Sequence, residues 1–60
     1  MMTPADLETV YEAMAEQLDA IAPTKRELFL AKLVLLLSND LADAERVRQC
    51  IAEAAGNLDA

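Results

Sequence analysis

Residues 28–37 are Leu28, Phe29, Leu30, Ala31, Lys32, Leu33, Val34, Leu35, Leu36 and Leu37, an apolar run interrupted only by Lys32. No other feature limits the fold as strongly. Crossing a bilayer takes about 20 apolar residues, so ten cannot form a membrane span. Thr24, Lys25, Arg26 and Glu27 precede the run in the form of a capping box, with Thr24 as N-cap and Glu27 reaching back. Asn39 can adopt a left-handed conformation and stop the helix. The segment therefore predicts a helix over residues 25–38. At 100° per residue, Phe29, Leu30, Leu33, Leu36 and Leu37 share an arc of about 120°. Val34 sits at its edge. Leu28 and Leu35 fall on the opposite side, with Ala31 beside them. Only Lys25, Glu27, Lys32 and Ser38 remain to make a polar back face. A helix apolar nearly all round is normally covered on all sides.

The flanking segments are too short to supply that cover. The first helix is expected over 4–22. Thr3 can cap it by accepting from the N–H near Asp6, and Pro4 takes the first helical position, where its missing N–H costs nothing. Leu7, Val10, Tyr11, Met14, Leu18 and Ile21 then recur at steps of three and four. Glu8, Glu12, Glu16 and Asp19 face away. Pro23 disfavours αR at Ala22 and ends the helix. A connector over 39–43 leads to a third helix over 43–56, capped by Asp40 or Asp43. Its stripe is Val47, Cys50, Ile51, Ala54 and Leu58. Gly56 and Asn57 are the stop signal, with Leu58 able to fold back. No segment alternates as a strand would, and Ala and Leu favour helix.

The expected fold class is thus all-α. Three short helices form a small antiparallel bundle or open array in a single 60-residue domain, completed by oligomerisation. A domain of this length buries only about 60% of its unfolded surface and is marginal. This one has one Phe, one Tyr, no Trp and twelve alanines. One cysteine and no histidine leave no disulfide or zinc staple. Association with another chain is the remaining source of buried surface. The ordinary alternative is that Leu28 and Leu35 are exposed, or covered by the connector through Leu41.

Composition also bounds the chemistry. The net charge is -6, which argues against phosphate recognition and hence against nucleic acid as a partner. Without histidine, the only serine, Ser38, has no base to activate it. Cys50 reads as a small buried hydrophobe. The only glycine, Gly56, excludes a glycine-rich phosphate loop. No catalytic, metal-binding or cofactor-binding residue is expected, and the chain is expected not to be an enzyme. The first residues show no basic segment before an apolar run, so a soluble, cytoplasmic protein without a membrane partner is expected. The acids are unevenly placed, with five of the eleven and no base in residues 1–24. Glu8, Glu12 and Glu16 are spaced by four, and each such pair costs a few tenths of a kcal/mol. The stripe is either a solvated face or a docking stripe for a basic groove.

Residues 33–48 carry two further patterns. Leu33-Val34-Leu35-Leu36-Leu37-Ser38-Asn39 precedes Asp43-Ala44-Glu45-Arg46-Val47-Arg48, and Val10-Tyr11-Glu12-Ala13-Met14 lies upstream. Together they resemble a family of very short bacterial three-helix proteins catalogued as a domain of unknown function, over about residues 7–55. The family includes the small coupling component of flavin-dependent hydroxyphenylacetate 6-hydroxylase, which forms homogentisate. Its members have histidine near the position of Asp40 and glycine near that of Ala42; this chain has neither. The resemblance implies a non-catalytic accessory subunit of an FAD-dependent aromatic hydroxylase in phenolic-acid catabolism, with flavin and substrate held by the large subunit. Leu28, Ala31 and Leu35, with Glu8, Glu12 and Glu16, are the expected partner-binding residues. The expected partners are the hydroxylase subunit, a second copy of the chain, or both. The alternative function is a self-associating helical protein without an enzyme partner.

Overall fold

The computed structural model describes residues 1–56 and 58. Its elements are α1 (Pro4–Ala20), a 3₁₀ turn (Pro23–Lys25), α2 (Arg26–Leu41) and α3 (Ala44–Gly56). No strand occurs among the described residues, so the fold is small and all-α. Two compact units divide the chain, Met1–Leu30 and Ala31–Ala60, and the division falls inside α2.

In the first unit, α1 opens on a reciprocal box. The Asp6 N–H donates to Thr3 Oγ1 at 3.1 Å, and the Thr3 N–H donates to Asp6 Oδ2 at 3.1 Å. Two orphan donors of the first turn are thereby satisfied. The helix stops at Ala20, two residues before the expected Ala22. Ile21 is already extended at φ -89°, ψ 137°, and its N–H still reaches the Gln17 carbonyl at 3.0 Å. Ala22 is extended as well, as a residue before proline should be.

The capping box expected at Thr24 does not form. Thr24 lies inside the 3₁₀ turn, where the Lys25 N–H donates to the Ala22 carbonyl at 2.8 Å and the Arg26 N–H to the Pro23 carbonyl. The chain enters α2 through these tighter i→i+3 bonds in place of a threonine cap. Arg26 instead closes the unit. Its Nε–H donates to the Leu18 carbonyl at 2.9 Å, satisfying one of the orphan carbonyls at the end of α1. Half-burial gathers at this turn, in Met14, Ala15, Leu18, Ile21, Arg26 and Phe29. Leu7, Val10 and Tyr11, earlier on the same α1 stripe, are exposed.

In the second unit α2 passes the expected stop. Ser38 stays helical, its hydroxyl donating to the Val34 carbonyl at 2.6 Å. Asn39 stays helical too, and the left-handed residue is Ala42, at φ 55°. The Ala42 N–H donates to the Ser38 carbonyl at 2.9 Å, the single bond of an αL helix end. Asp43, not Asp40, caps α3, accepting from the Arg46 N–H at 3.0 Å through Oδ1. Asp40 is left in the last turn of α2, where the helix dipole disfavours an acid. α3 ends on Gly56, whose φ is not positive. Of the expected stop pair, Asn57 lies outside the described residues, and Leu58 is exposed in a turn.

No described residue is buried. Of the arc expected to face the other helices, only Phe29 and Leu33 are half-buried; Leu30, Leu36 and Leu37 are exposed. On α3 only Val47 is half-buried. Cys50 is exposed, against the expectation of a buried small hydrophobe, because it lies on a side of α3 that the second unit itself leaves open. Periodicity places these residues on common stripes, but it carries no information about what lies opposite them.

Candidate partner-binding surfaces

Three surfaces remain uncovered, each set out by helical spacing. On α1, Glu8, Glu12 and Glu16 are exposed and one turn apart. The two ion pairs among the described residues both lie within α3, Arg46–Glu53 at 3.8 Å and Arg48–Glu45 at 3.7 Å. Neither offsets the α1 acids, and Arg26 is spent on the Leu18 carbonyl. The stripe therefore keeps the like-charge repulsion inferred from its spacing.

The second surface runs along α2. Leu28, Ala31 and Leu35 follow one another at i, i+3 and i+7, which puts them on one stripe. All three are exposed, Leu35 at 71%. Leu28 belongs to the first unit, and Ala31 and Leu35 to the second.

The third surface was not foreseen as a site. In the second unit, α2 and α3 flank a cleft of about 320 Å³. Val34, Leu37, Ser38 and Leu41 form its α2 wall, and Val47, Cys50, Ile51 and Ala54 its α3 wall. The α3 stripe was legible from its period. The α2 wall was not, because Leu37 fell in the arc expected to be covered and Leu41 in the expected connector. The available signal was the spacing itself. Residues 34, 37, 38 and 41 repeat the interval of residues 47, 50, 51 and 54.

Among the described residues no three His, Cys, Asp or Glu side chains converge in a way that could hold a metal. The Ser38 hydroxyl is directed at a backbone carbonyl of its own helix. No described helix is long and apolar enough to cross a membrane. Compared with known proteins, the chain matches no family model, no curated protein and no solved structure.

Proposed function

We propose that this chain is a non-catalytic accessory subunit that couples an FAD-dependent aromatic hydroxylase of phenolic-acid catabolism. The observation that carries the reading is the absence of any buried residue among those described, in a chain whose α2 holds seven leucines in sixteen residues. Such a chain gains most of its stability only when another protein covers it. The resemblance of residues 10–14 and 33–48 to the coupling family supplies the identity of that protein. Leu28, Ala31 and Leu35 provide the apolar part of the contact. Glu8, Glu12 and Glu16 steer it toward a basic groove and affect association rate more than affinity.

The flavin and the aromatic substrate belong to the large subunit. The small chain acts by binding one conformation of that subunit more tightly than another. Raising the productive conformation from about one-tenth to nine-tenths of the population requires about 80-fold differential affinity, or about 2.6 kcal/mol. A contact centred on three apolar side chains can supply that, since burying one leucine contributes about 1.5–3 kcal/mol.

The test is to co-express the chain with an FAD-dependent aromatic hydroxylase of phenolic-acid catabolism from the same source. A complex should form, and hydroxylated product per NAD(P)H consumed should rise when the chain is present. Leu35→Glu should abolish the rise, and Glu8→Lys with Glu12→Lys should slow association. No complex together with an unchanged product ratio would sink the reading.

A further inference from the structure

We propose that the joint between α2 and α3 is a two-state hinge, which exchanges the hairpin of the second unit with one continuous helix over residues 31–56. The exchange is a property of the second unit alone and does not depend on whether the chain couples a hydroxylase.

The hairpin rests on one residue in an unfavourable conformation. Ala42 is left-handed at φ 55°. An L-residue prefers the right-handed conformation by about 5- to 30-fold. Nothing else in the sequence requires a helix to end here. Residues 26–55 contain neither proline nor glycine, and Leu41, Ala42, Ala44 and Glu45 around the break are good helix formers. The break also leaves backbone groups unmatched. The N–H groups of Asp43, Ala44 and Glu45 have no partner within the chain, and that of Arg46 relies on Asp43 Oδ1 at 3.0 Å. Right-handed backbone at Ala42 and Asp43 would bring these four donors to the carbonyls of Asn39, Asp40, Leu41 and Ala42.

Little holds the hairpin closed in return. Among the described residues no side-chain hydrogen bond or ion pair joins α2 to α3, and the pairs Arg46–Glu53 and Arg48–Glu45 both lie within α3. The Asp43 cap favours the hairpin by about fivefold, which no more than offsets the conformation of Ala42. What remains is apolar contact across the cleft against four exposed backbone bonds, each of modest net value because it replaces a bond to water. That contact is thin. Ser38 and Val47 are half-buried, while Leu37 is 58% exposed and Ile51 56%. Neither state outweighs the other by a margin that empties it.

The exchange makes and unmakes the cleft. Its two walls repeat one another at an offset of 13 residues, as Val34 and Val47 do. In one straight helix that offset is about 20 Å along the axis and about 140° around it, so the walls part to different faces. The cleft exists in the hairpin alone, and whatever fills it selects that state.

The test places spin labels at Lys32→Cys and Ala52→Cys in a Cys50→Ala background and measures their separation by pulsed electron resonance. The full chain is used, diluted with unlabelled copies so that each measured pair lies within one molecule. Both sites are exposed, lie outside the cleft and stand ten residues from Ala42. The hairpin sets them level across the joint, whereas the continuous helix separates them by about 30 Å. The unaltered joint should give both distances. Asp43→Ala removes the cap and puts a better helix former at the break, so the ratio of long to short should rise about tenfold. Ala42→Gly relieves the hairpin and weakens the continuous helix, so the ratio should fall about 25- to 150-fold. Should Asp43→Ala lose its helical signal, the unaltered joint and Ala42→Gly decide between them. A single distance in the unaltered joint, short or long, would overturn the proposal. So would a ratio that moves the same way in both variants, or in neither.

Discussion

Ala42 sits at φ 55°, in the left-handed region, between α2 and α3. An L-residue there brings its Cβ against the following carbonyl, at a cost of about 1–2 kcal/mol, which glycine does not incur. Ala42→Gly removes that strain and keeps the Ala42 N–H bond to the Ser38 carbonyl, since only the side chain changes. Against this gain stands the greater freedom of glycine in the unfolded chain, about 0.4–1 kcal/mol. The balance is a stabilisation of about 0.8 kcal/mol. For a 60-residue chain the unfolding entropy is about 0.13 kcal/mol per kelvin, so Tm should rise by about 6 °C. Ala52→Gly is the control. Ala52 is exposed within α3, where the same change costs about 1 kcal/mol of helix propensity and should lower Tm by about 8 °C. Circular-dichroism melts of both variants belong at one fixed chain concentration, because association makes Tm concentration-dependent. The same methyl group is deleted in each case and the signs should be opposite. If Ala42→Gly lowers Tm as Ala52→Gly does, residue 42 is not left-handed in solution and the αL end of α2 is wrong.

Substitutions at three further positions probe the helix ends. Arg26→Ala removes the donor to the Leu18 carbonyl and should destabilise the chain by about 1–2 kcal/mol in urea denaturation, with Arg26→Lys recovering only part of it. Asp43→Ala removes the α3 cap and should cost about 1 kcal/mol, whereas Asp40→Ala should cost nothing; equal losses would contradict the assignment of the cap to Asp43. Asp40→Lys reverses an acid in the last turn of α2 and should stabilise by about 0.5–1 kcal/mol at low ionic strength, the gain shrinking in molar salt.

Asp40 and Ala42 both lie at the C-terminal end of α2. Each is locally unfavourable, an acid at the negative end of a helix and a Cβ in a left-handed conformation. The expected stop at Asn39 failed for a related reason. Asn39 tolerates αL but does not require another residue to leave the helix, and the Ser38 hydroxyl bonded back to Val34 permits the helix to continue for another turn.

The sequence alone determined that the chain is all-α, with three helices, and which residues share each stripe. It also located the Thr3 cap, though not the return bond from Asp6, and it narrowed the α3 cap to two aspartates. These features depend on hydrogen bonds and steric limits that reach no more than about four residues along the chain. The tertiary structure decided which stripes are covered, and none is fully covered. It decided that Arg26 turns to the Leu18 carbonyl eight residues away and that Cys50 is exposed. It also decided that the walls around Leu37 and Ile51 flank one open cleft. Burial of a side chain depends on the surface presented opposite it by another element. A residue's own helix carries no record of that surface, and so its periodicity names a face without naming what meets it.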